Sequence, residues 1–194
     1  NAGGLYMLVA QAKRSAELFT GSSIDDAEIP RIRALMNSRM QNIVLIGMPG
    51  SGKSTAAARL GAALGREVND SDEYIAAATG ETPAQIIEGR GEAEFRRCET
   101  AALAELGKRS GLVIATGGGC VTRPENYPSL HRNGTVVWLK RPIADLPTEG
   151  RPLSKAGHLE DMYRKRAPRY EAFSDFSVEN TGTPEKVARE ILDR

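Results

Sequence analysis

The stretch Gly47-Met48-Pro49-Gly50-Ser51-Gly52-Lys53-Ser54 matches the phosphate-loop pattern G-x-x-x-x-G-K-[ST] at every fixed position. An apolar strand is predicted directly before it, over Asn42–Ile46, and an alanine- and leucine-rich helix directly after it, over residues 55–64. The alternative is a glycine-rich turn with a stray lysine. Because a phosphate loop needs a strand before it and a helix after it, the flanking sequence favours phosphate binding.

The chemistry of this loop follows from its backbone. Glycines let successive N–H groups point into one concavity, and the following helix adds the positive end of its dipole. Lys53 can reach the β- and γ-phosphates, and the Ser54 hydroxyl can ligate Mg²⁺. We therefore predict that a polyphosphate is bound by Gly47, Pro49, Gly50, Ser51, Gly52, Lys53, Ser54 and Thr55.

Length and composition predict one ordinary domain with some chain left over. Hydrophobic residues make up 40% of the chain and charged residues 26%, and the net charge of +1 argues against nucleic acid or a membrane surface as a partner. Cys98 and Cys120 lack metal-ligand spacing, which predicts reduced thiols and a cytoplasmic location. No apolar run reaches the ~18 residues of a membrane span, and no signal peptide opens the chain. The first residue, Asn1, predicts a processed product or a piece of something longer.

From residue 41 onward, apolar runs alternate with helical stretches. Strands are predicted over residues 42–46, 67–69, 112–116, 135–139 and 176–179. Helices are predicted near residues 53–64, 72–78, 83–107, 124–132, 159–172 and 184–192. This alternation predicts an α/β fold whose five-stranded parallel sheet is covered by helices on both faces, with ligands at the carboxyl ends of the strands.

Two carboxylates end the second predicted strand, at the same sheet edge as the phosphate loop. Side chains two residues apart share a face while a strand persists, so Asp70 and Asp72 can both enter the cleft. One can help to hold Mg²⁺, and the other can accept a hydrogen bond from a substrate hydroxyl. Capping of the next helix by Asp72 is the alternative, and it is compatible with these roles.

Two further motifs follow along the chain. Arg96 and Glu99 are neighbours at i and i+3 of a predicted helix, so the carboxylate could fix the guanidinium for bidentate binding of an anion. A solvated charged face is the alternative. Gly117-Gly118-Gly119 follows the third predicted strand and lets backbone N–H groups approach a ligand closely, although a sharp turn would have the same sequence.

The last polar segments are a candidate lid and a basic helix end. Residues 140–157 include Gly150-Arg151-Pro152-Leu153-Ser154, and a lid there would exclude water and bring the Arg151 guanidinium onto a transferred phosphoryl group. An ordinary surface loop is the alternative. Residues 163–170 form a dense basic stretch, which a solvated charge run would also explain.

Taken together and in this order, the motifs resemble those of the shikimate kinase family. The resemblance covers about 150 residues, from Gln41 to the end of the chain. The F-R-x-x-E motif of residues 95–99, the triple glycine, and the R-A-P-x-Y motif of residues 166–170 distinguish this family from other small kinases. The resemblance implies a P-loop NTPase fold of the nucleoside monophosphate kinase type, with a lid, over residues 41–194. It also implies ATP-dependent phosphorylation of the 3-hydroxyl of shikimate, with ATP and Mg²⁺ as cofactors.

The resemblance implies a role for each motif. Arg96 and Arg166 would hold the substrate carboxylate, and Asp72 would orient or deprotonate the 3-hydroxyl. Lys53 and Arg151 would stabilise the charge on the transferred group. The other implied contacts are ring hydroxyls at Gly117, Gly118 and Gly119, Mg²⁺ at Ser54 and Asp70, and adenine at the lid and residues 180–184. The short lid shows no clear counterpart of the arginine that stacks on adenine in some relatives.

Residues 1–40 differ from the rest and are predicted to form two helices, the first ending at Gly21. One interpretation is a helical pair that links or braces the main domain. However, residues 4–11 and 17–21 resemble the closing helices of shikimate dehydrogenases, a family in which the glutamine matched by Gln11 touches the substrate. The resemblance implies a dehydrogenase tail, and hence a fragment of a fused enzyme that performs consecutive pathway steps.

Other functions compatible with a phosphate loop belong to different classes. A kinase for gluconate or a nucleoside monophosphate would need other substrate contacts. A GTP-dependent regulatory switch usually carries an N-K-x-D base reader, which this sequence lacks. An inactive nucleotide-binding module is a further alternative, and the intact Lys53, Ser54, Asp72 and Arg151 argue against it.

Overall fold

The computed structural model describes residues 2–146 and 156–194, without the side chains of residues 2, 3 and 156–158. The chain divides into two compact units, Asn1–Gln41 and Asn42–Arg194. The first unit consists of α1 (Ala2–Thr20) and α2 (Glu28–Met40). Gly21 ends α1 in the left-handed conformation, with φ 66°, and its N–H bonds the Glu17 carbonyl at 2.9 Å. Both predicted helices and the predicted glycine stop are therefore present.

The second unit is built on the predicted sheet. Its strands are β1 (Asn42–Ile46), β2 (Val68–Asp70), β3 (Val113–Ala115), β4 (Gly134–Lys140) and β5 (Phe176–Glu179). They lie in the order β2-β3-β1-β4-β5, and every pair is parallel. The chain first fills one side of β1 and then the other, so the loop after β1 faces the crevice where ligands bind in such folds.

Helices cover both faces of the sheet. They are α3 (Lys53–Leu64), α4 (Ser71–Thr79), α5 (Pro83–Arg90), α6 (Glu92–Leu106), α7 (Tyr127–His131), α8 (Ala156–Phe173) and α9 (Pro184–Leu192). Because successive strand side chains alternate, Val44 and Ile46 pack with α6 and α8 while Leu45 packs with α3 and α9. The described helices include none with both the length and the apolarity to cross a bilayer.

The prediction of one continuous helix over residues 83–107 is wrong. The structure has two helices there, and they are separated at Gly91, whose φ of 85° no helix accommodates. Residues 88–92 carry no apolar side chain, and Gly89 lies inside α5, so a glycine at position 91 does not by itself show where the helix ends. The break starts α6 afresh at Glu92, one turn before Arg96.

Asn42 locks the start of the central strand to its neighbour. The side chain is 1% exposed; its amide donates to the Arg109 carbonyl at 2.8 Å, and its carbonyl accepts from the Leu112 N–H at 2.8 Å. The loop that enters β3 is thereby held against β1. This contact fixes the position of β3 along β1, and with it the position of the residues that follow β3.

Replacing Asn42 by alanine removes both buried hydrogen bonds and leaves two backbone groups without their partners. We expect Asn42→Ala to lower the free energy of unfolding by about 2–4 kcal/mol, measured by urea denaturation. Asn69→Ala is the control, because that amide bonds only Glu67 at the surface and its loss should cost less than about 0.5 kcal/mol. Equal losses in the two variants would contradict the role of Asn42.

Candidate active site

The phosphate loop turns from β1 into α3 through glycines in special conformations. Gly50 and Gly52 have φ angles of 81° and 91°, in the region that favours glycine. A Cβ at Gly47 would lie 2.5 Å from the Leu139 carbonyl oxygen, so the loop also packs closely against β4. The result is a concave backbone at the start of α3, where the helix dipole favours a phosphate.

Lys53 begins α3 and is only 7% exposed. Its ammonium donates hydrogen bonds to the carbonyl oxygens of Gly47 and Met48, at 3.0 and 2.8 Å. The lysine therefore lies folded over the loop. Phosphate oxygens carry negative charge and would bind the ammonium more strongly than these neutral carbonyls do.

Ser54 and Asp70 meet beside the loop. The Ser54 hydroxyl donates to one Asp70 oxygen at 2.8 Å, and the other oxygen accepts the Asp72 N–H at 2.9 Å. Asp70 is thus the residue that caps α4, and the alternative in which Asp72 is the cap is wrong. The reason is that β2 ends at Asp70 and the helix starts one residue later, so the two carboxylates do not share a strand face.

Arg96 is the centre of a buried charge cluster on α6. Its Nη1 donates to Glu99 at 2.8 Å, and its Nη2 and Nε donate to Glu92 at 3.0 and 3.3 Å. Arg96 is 9% exposed and Glu99 is fully buried. Burial opposes the charge on the guanidinium, but Glu99 and Glu92 outweigh it and raise the pKa of Arg96. Arg96 therefore does not belong to a solvated charged face, which was the alternative interpretation of its motif.

Glu99 is held in an unusual environment for a carboxylate. Burial raises its pKa, because the attraction of Arg96 does not offset the loss of water and Asp72 adds repulsion. Its Oε1 atom has no hydrogen-bond partner among the described residues. A Cβ at Gly117 would lie 2.7 Å from this atom and 3.0 Å from Asp72 Oδ1, so both oxygens face the same glycine.

The triple glycine brings these elements together after β3. Gly117 faces the two carboxylates, a Cβ at Gly118 would lie 2.6 Å from Pro49 of the phosphate loop, and a Cβ at Gly119 would overlap the Arg96 guanidinium. From the other side, Arg166 of α8 donates to the Gly118 carbonyl at 3.0 Å. Asp72, Arg96 and Arg166 therefore lie around one turn in front of the phosphate loop.

A cavity of about 240 Å³ borders the phosphate loop. Gly52 and Thr55 line it together with residues 180–182, Arg141 and Asp145. Asn180 follows β5, and its amide donates to the Ser51 carbonyl at 2.7 Å. The predicted adenine region therefore borders the phosphate loop. Arg151 and the rest of residues 147–155 of the predicted lid lie outside the described residues.

Sequence reasoning gave no role to Tyr170 or Glu92, and it expected Asn180 at adenine but not against the phosphate loop. Tyr170 donates to the Gly118 carbonyl at 2.5 Å, and its place in the R-A-P-x-Y motif was the available signal. Glu92 lies four residues before Arg96, a helical spacing that becomes visible only when α6 is known to start there. The contact of Asn180 with Ser51 was not predicted, because nothing in one sequence links the two residues.

The described residues offer few ligands for a metal ion. They contain no group of three or more His, Cys, Asp or Glu side chains able to enclose an ion. Ser54 and Asp70 offer two hard oxygen donors beside the phosphate loop. This donor set fits Mg²⁺, which usually keeps several waters and binds through one or two protein oxygens together with substrate phosphates.

A phosphate loop in the crevice of a parallel sheet, faced by an acidic strand end and two arginines, is the site of a small-molecule kinase. The sequence model of the family described as shikimate kinase matches residues 49–194. The chain belongs to the shikimate kinase family. The predicted α/β fold with a five-stranded parallel sheet is confirmed.

Individual relatives agree with this assignment. The shikimate kinase of Chromohalobacter salexigens is 39% identical over 165 residues, which cover 80% of this chain and 92% of that protein. That of Burkholderia lata is 40% identical over 152 residues, covering 74% and 82%. Among solved structures, shikimate kinase from Acinetobacter baumannii in complex with shikimate has a TM-score of 0.72 at 36% identity, over 79% of this chain and 92% of that one. A gluconokinase from Sinorhizobium meliloti, at 19% identity, shares the fold alone.

The contact between Gly119 and Arg96 gives a direct test of the site. Gly119→Ala should displace the guanidinium and raise the KM for shikimate about tenfold or more, with little change in the KM for ATP. Gly89→Ala is the matched control, since a Cβ there meets open space on α5. Normal shikimate kinetics in Gly119→Ala would mean that the turn and Arg96 are not tightly packed in solution.

Proposed function

We propose that the pocket around the triple glycine is where this shikimate kinase transfers the γ-phosphoryl group of ATP to the 3-hydroxyl of shikimate. The convergence of Arg96 and Arg166 on Gly118 and Gly119 carries the proposal. Shikimate is a carboxylate with three ring hydroxyls, so its site requires cations at one end and hydrogen-bonding groups along the ring. Two guanidinium groups, the Asp72 carboxylate and glycine backbone supply these groups at one turn.

In this proposal the two arginines hold the substrate carboxylate. Arg96 is preorganised, because Glu99 and Glu92 fix its guanidinium before substrate arrives. A fixed donor loses little conformational freedom on binding, so more of each hydrogen bond contributes to affinity. Arg166 keeps further N–H donors besides the one that bonds Gly118.

Asp72 acts on the hydroxyl that is phosphorylated. Its carboxylate lies beside Gly117 of the triple glycine, where it accepts a hydrogen bond from the 3-hydroxyl. Phosphoryl transfer passes through a loose transition state, so orienting the oxygen is the first contribution and accepting its proton the second. Gly117, Gly118 and Gly119 present backbone groups to the other ring hydroxyls.

The remaining roles concern the transferred group. Lys53 leaves the carbonyls of Gly47 and Met48 and binds phosphate oxygens, as charge favours. Arg151 supplies a second cation from the lid. Ser54 and Asp70 hold Mg²⁺, which supplies charge neutralisation on the phosphates when bound. Residues 180–184 and the adjoining cavity accommodate adenine.

The N-terminal unit is proposed to be the closing segment of a shikimate dehydrogenase domain, joined to the kinase in a longer enzyme. Its support is the sequence resemblance and a helix that leaves large apolar side chains exposed: Tyr6, Met7, Leu8, Leu18 and Phe19. A dehydrogenase reading frame continuous with Asn1 in the native gene would agree with this proposal. A start codon immediately before Asn1 would remove its support.

We also infer that the reaction takes place in the cytoplasm, with shikimate as the partner and neither nucleic acid nor membrane involved. The thiols of Cys98 and Cys120 are both free, as expected in a reducing compartment. The net charge of +1 gives no general attraction to polyanions.

The proposed substrate is tested by measuring ADP release with ATP and Mg²⁺ against a panel. The panel contains shikimate, gluconate and nucleoside monophosphates. Turnover is expected with shikimate alone. Nucleoside monophosphates lack the carboxylate that Arg96 and Arg166 require, and open-chain gluconate does not hold its carboxylate at a fixed distance from the hydroxyl that Asp72 requires, as the shikimate ring does. Turnover with gluconate but not shikimate would replace the proposal with a sugar-acid kinase, and nucleotide binding without any acceptor would indicate a regulatory module.

The proposed role of Arg96 predicts different effects on the binding of shikimate and of ATP. Arg96→Ala should weaken shikimate binding about ten- to a hundredfold, because a charge-assisted bond is lost, while ATP binding changes little. Arg97→Ala is the control, since that neighbour is 69% exposed and pairs only with Glu94. Both affinities are measured by titration calorimetry. Equal losses for shikimate and ATP would contradict the assigned role.

The proposed magnesium contact is tested at Asp70. Asp70→Asn keeps the cap of α4, because asparagine caps as well as aspartate, but removes the negative charge beside Ser54. The Mg²⁺ concentration for half-maximal activity should rise about tenfold or more. Asp193→Asn, at an exposed site beyond α9, should leave it unchanged. An unaltered Mg²⁺ requirement in Asp70→Asn would remove this residue from the site.

A further inference from the structure

Tyr170 is buried, and its hydroxyl donates its hydrogen bond to the Gly117–Gly119 turn. The side chain is fully buried, its ring stacks on Trp138 at 5.6 Å between centroids, and its hydroxyl donates to the Gly118 carbonyl at 2.5 Å. The Met48 sulfur, at 3.9 Å, is a much weaker acceptor. The hydroxyl is therefore fixed in direction by packing as well as by its hydrogen bond.

The same carbonyl oxygen also accepts from Arg166 at 3.0 Å. Two donors from one helix, four residues apart, thus fix both lone pairs of a single peptide oxygen. Arg166 is only half-buried and, in the proposed function, binds the substrate carboxylate. Tyr170 is fully buried and hydrogen-bonds both Arg166 and the Gly118 carbonyl, so its hydroxyl is the donor to this carbonyl that is not itself a substrate contact.

Anchoring this oxygen also sets the direction of an N–H group. In a trans peptide the C=O and the following N–H point in opposite directions, and the chain has no cis peptide among its described residues. Fixing the Gly118 oxygen toward α8 therefore turns the Gly119 N–H away from α8. The described residues give this N–H no acceptor, and Gly119 lies against the Arg96 guanidinium.

We propose that Tyr170 is a positioning residue for the acceptor substrate: its hydroxyl orients the Gly118–Gly119 peptide so that the Gly119 N–H donates to a ring hydroxyl of shikimate. The inference rests on the proposed function, in which this turn faces the substrate. Tyr170 itself touches no substrate. It acts through a glycine peptide that has no side chains of its own.

The anchored peptide also reaches the nucleotide side. A Cβ at Gly118 would lie 2.6 Å from Pro49 Cδ, so this peptide packs directly on the phosphate loop. The Tyr170 hydroxyl consequently holds the acceptor turn at a fixed height relative to the loop that carries the donor phosphates. A peptide free to rotate would place the acceptor hydroxyl less accurately, which lowers turnover as well as affinity.

Tyr170→Phe removes the hydroxyl and keeps the buried ring. We expect the KM for shikimate to rise about two- to tenfold, the worth of one neutral hydrogen bond, with a lower kcat and an unchanged KM for ATP. Tyr127→Phe is the matched control, because that side chain is 44% exposed and lies on α7. A merely structural role would lower the melting temperature of Tyr170→Phe while leaving the KM for shikimate unchanged, and that result would overturn the proposal.

A second measurement does not depend on turnover. In the substrate-free protein, the amide resonances of Gly118 and Gly119 in ¹H–¹⁵N spectra should shift in Tyr170→Phe and stay in place in Tyr127→Phe. Unshifted resonances in Tyr170→Phe would overturn the proposal even if the kinetics changed. If the unaltered protein does not use shikimate, the proposed function fails by itself, and these resonances still decide whether Tyr170 orients the peptide.

Discussion

The close approach of side chains to the Gly117–Gly119 turn is the constraint on which the site depends. Two carboxylates, a proline ring and a guanidinium each occupy the space that a Cβ would need on one of these glycines. Only a backbone without side chains can lie among groups of such different chemistry at these distances. The sheet delivers the turn to this place, since β3 lies directly beside β1 and ends at the same edge as the phosphate loop.

The buried ion pair of Arg96 and Glu99 depends on the helix that holds both residues. Taking both charges out of water is unfavourable, and one hydrogen bond between them recovers only part of the loss. The pair is tolerated because α6 is a full helix that fixes both residues on one face, with Glu92 adding a further contact. In the proposed function, Arg96 is thereby already oriented when substrate enters, so its conformational entropy is lost during folding and not during binding.

The sequence predicted the five strands and the phosphate loop because each depends on local pattern, whereas the meeting of Asp72, Arg96 and Arg166 at the triple glycine was expected only from the resemblance to shikimate kinases. The break at Gly91 escaped prediction because a glycine alone does not decide where a helix ends: Gly89, two residues earlier, lies inside α5. The Asp70 cap was misassigned to Asp72 because one residue decides where a strand becomes a helix. Tyr170 and Asn180 act across more than 50 and 120 residues of chain respectively, a range at which a single sequence carries no pairing information.

The bond from Asn180 to Ser51 has a consequence for how the protein is made. It joins residues 129 positions apart, so the phosphate loop emerges from the ribosome long before the residue that supports its backbone. A nascent chain lacking β5 has the loop sequence but neither this support nor the residues that line the adjoining cavity. The support of the phosphate loop and the cavity beside it are therefore completed only after β5 and the residues that follow it have been made.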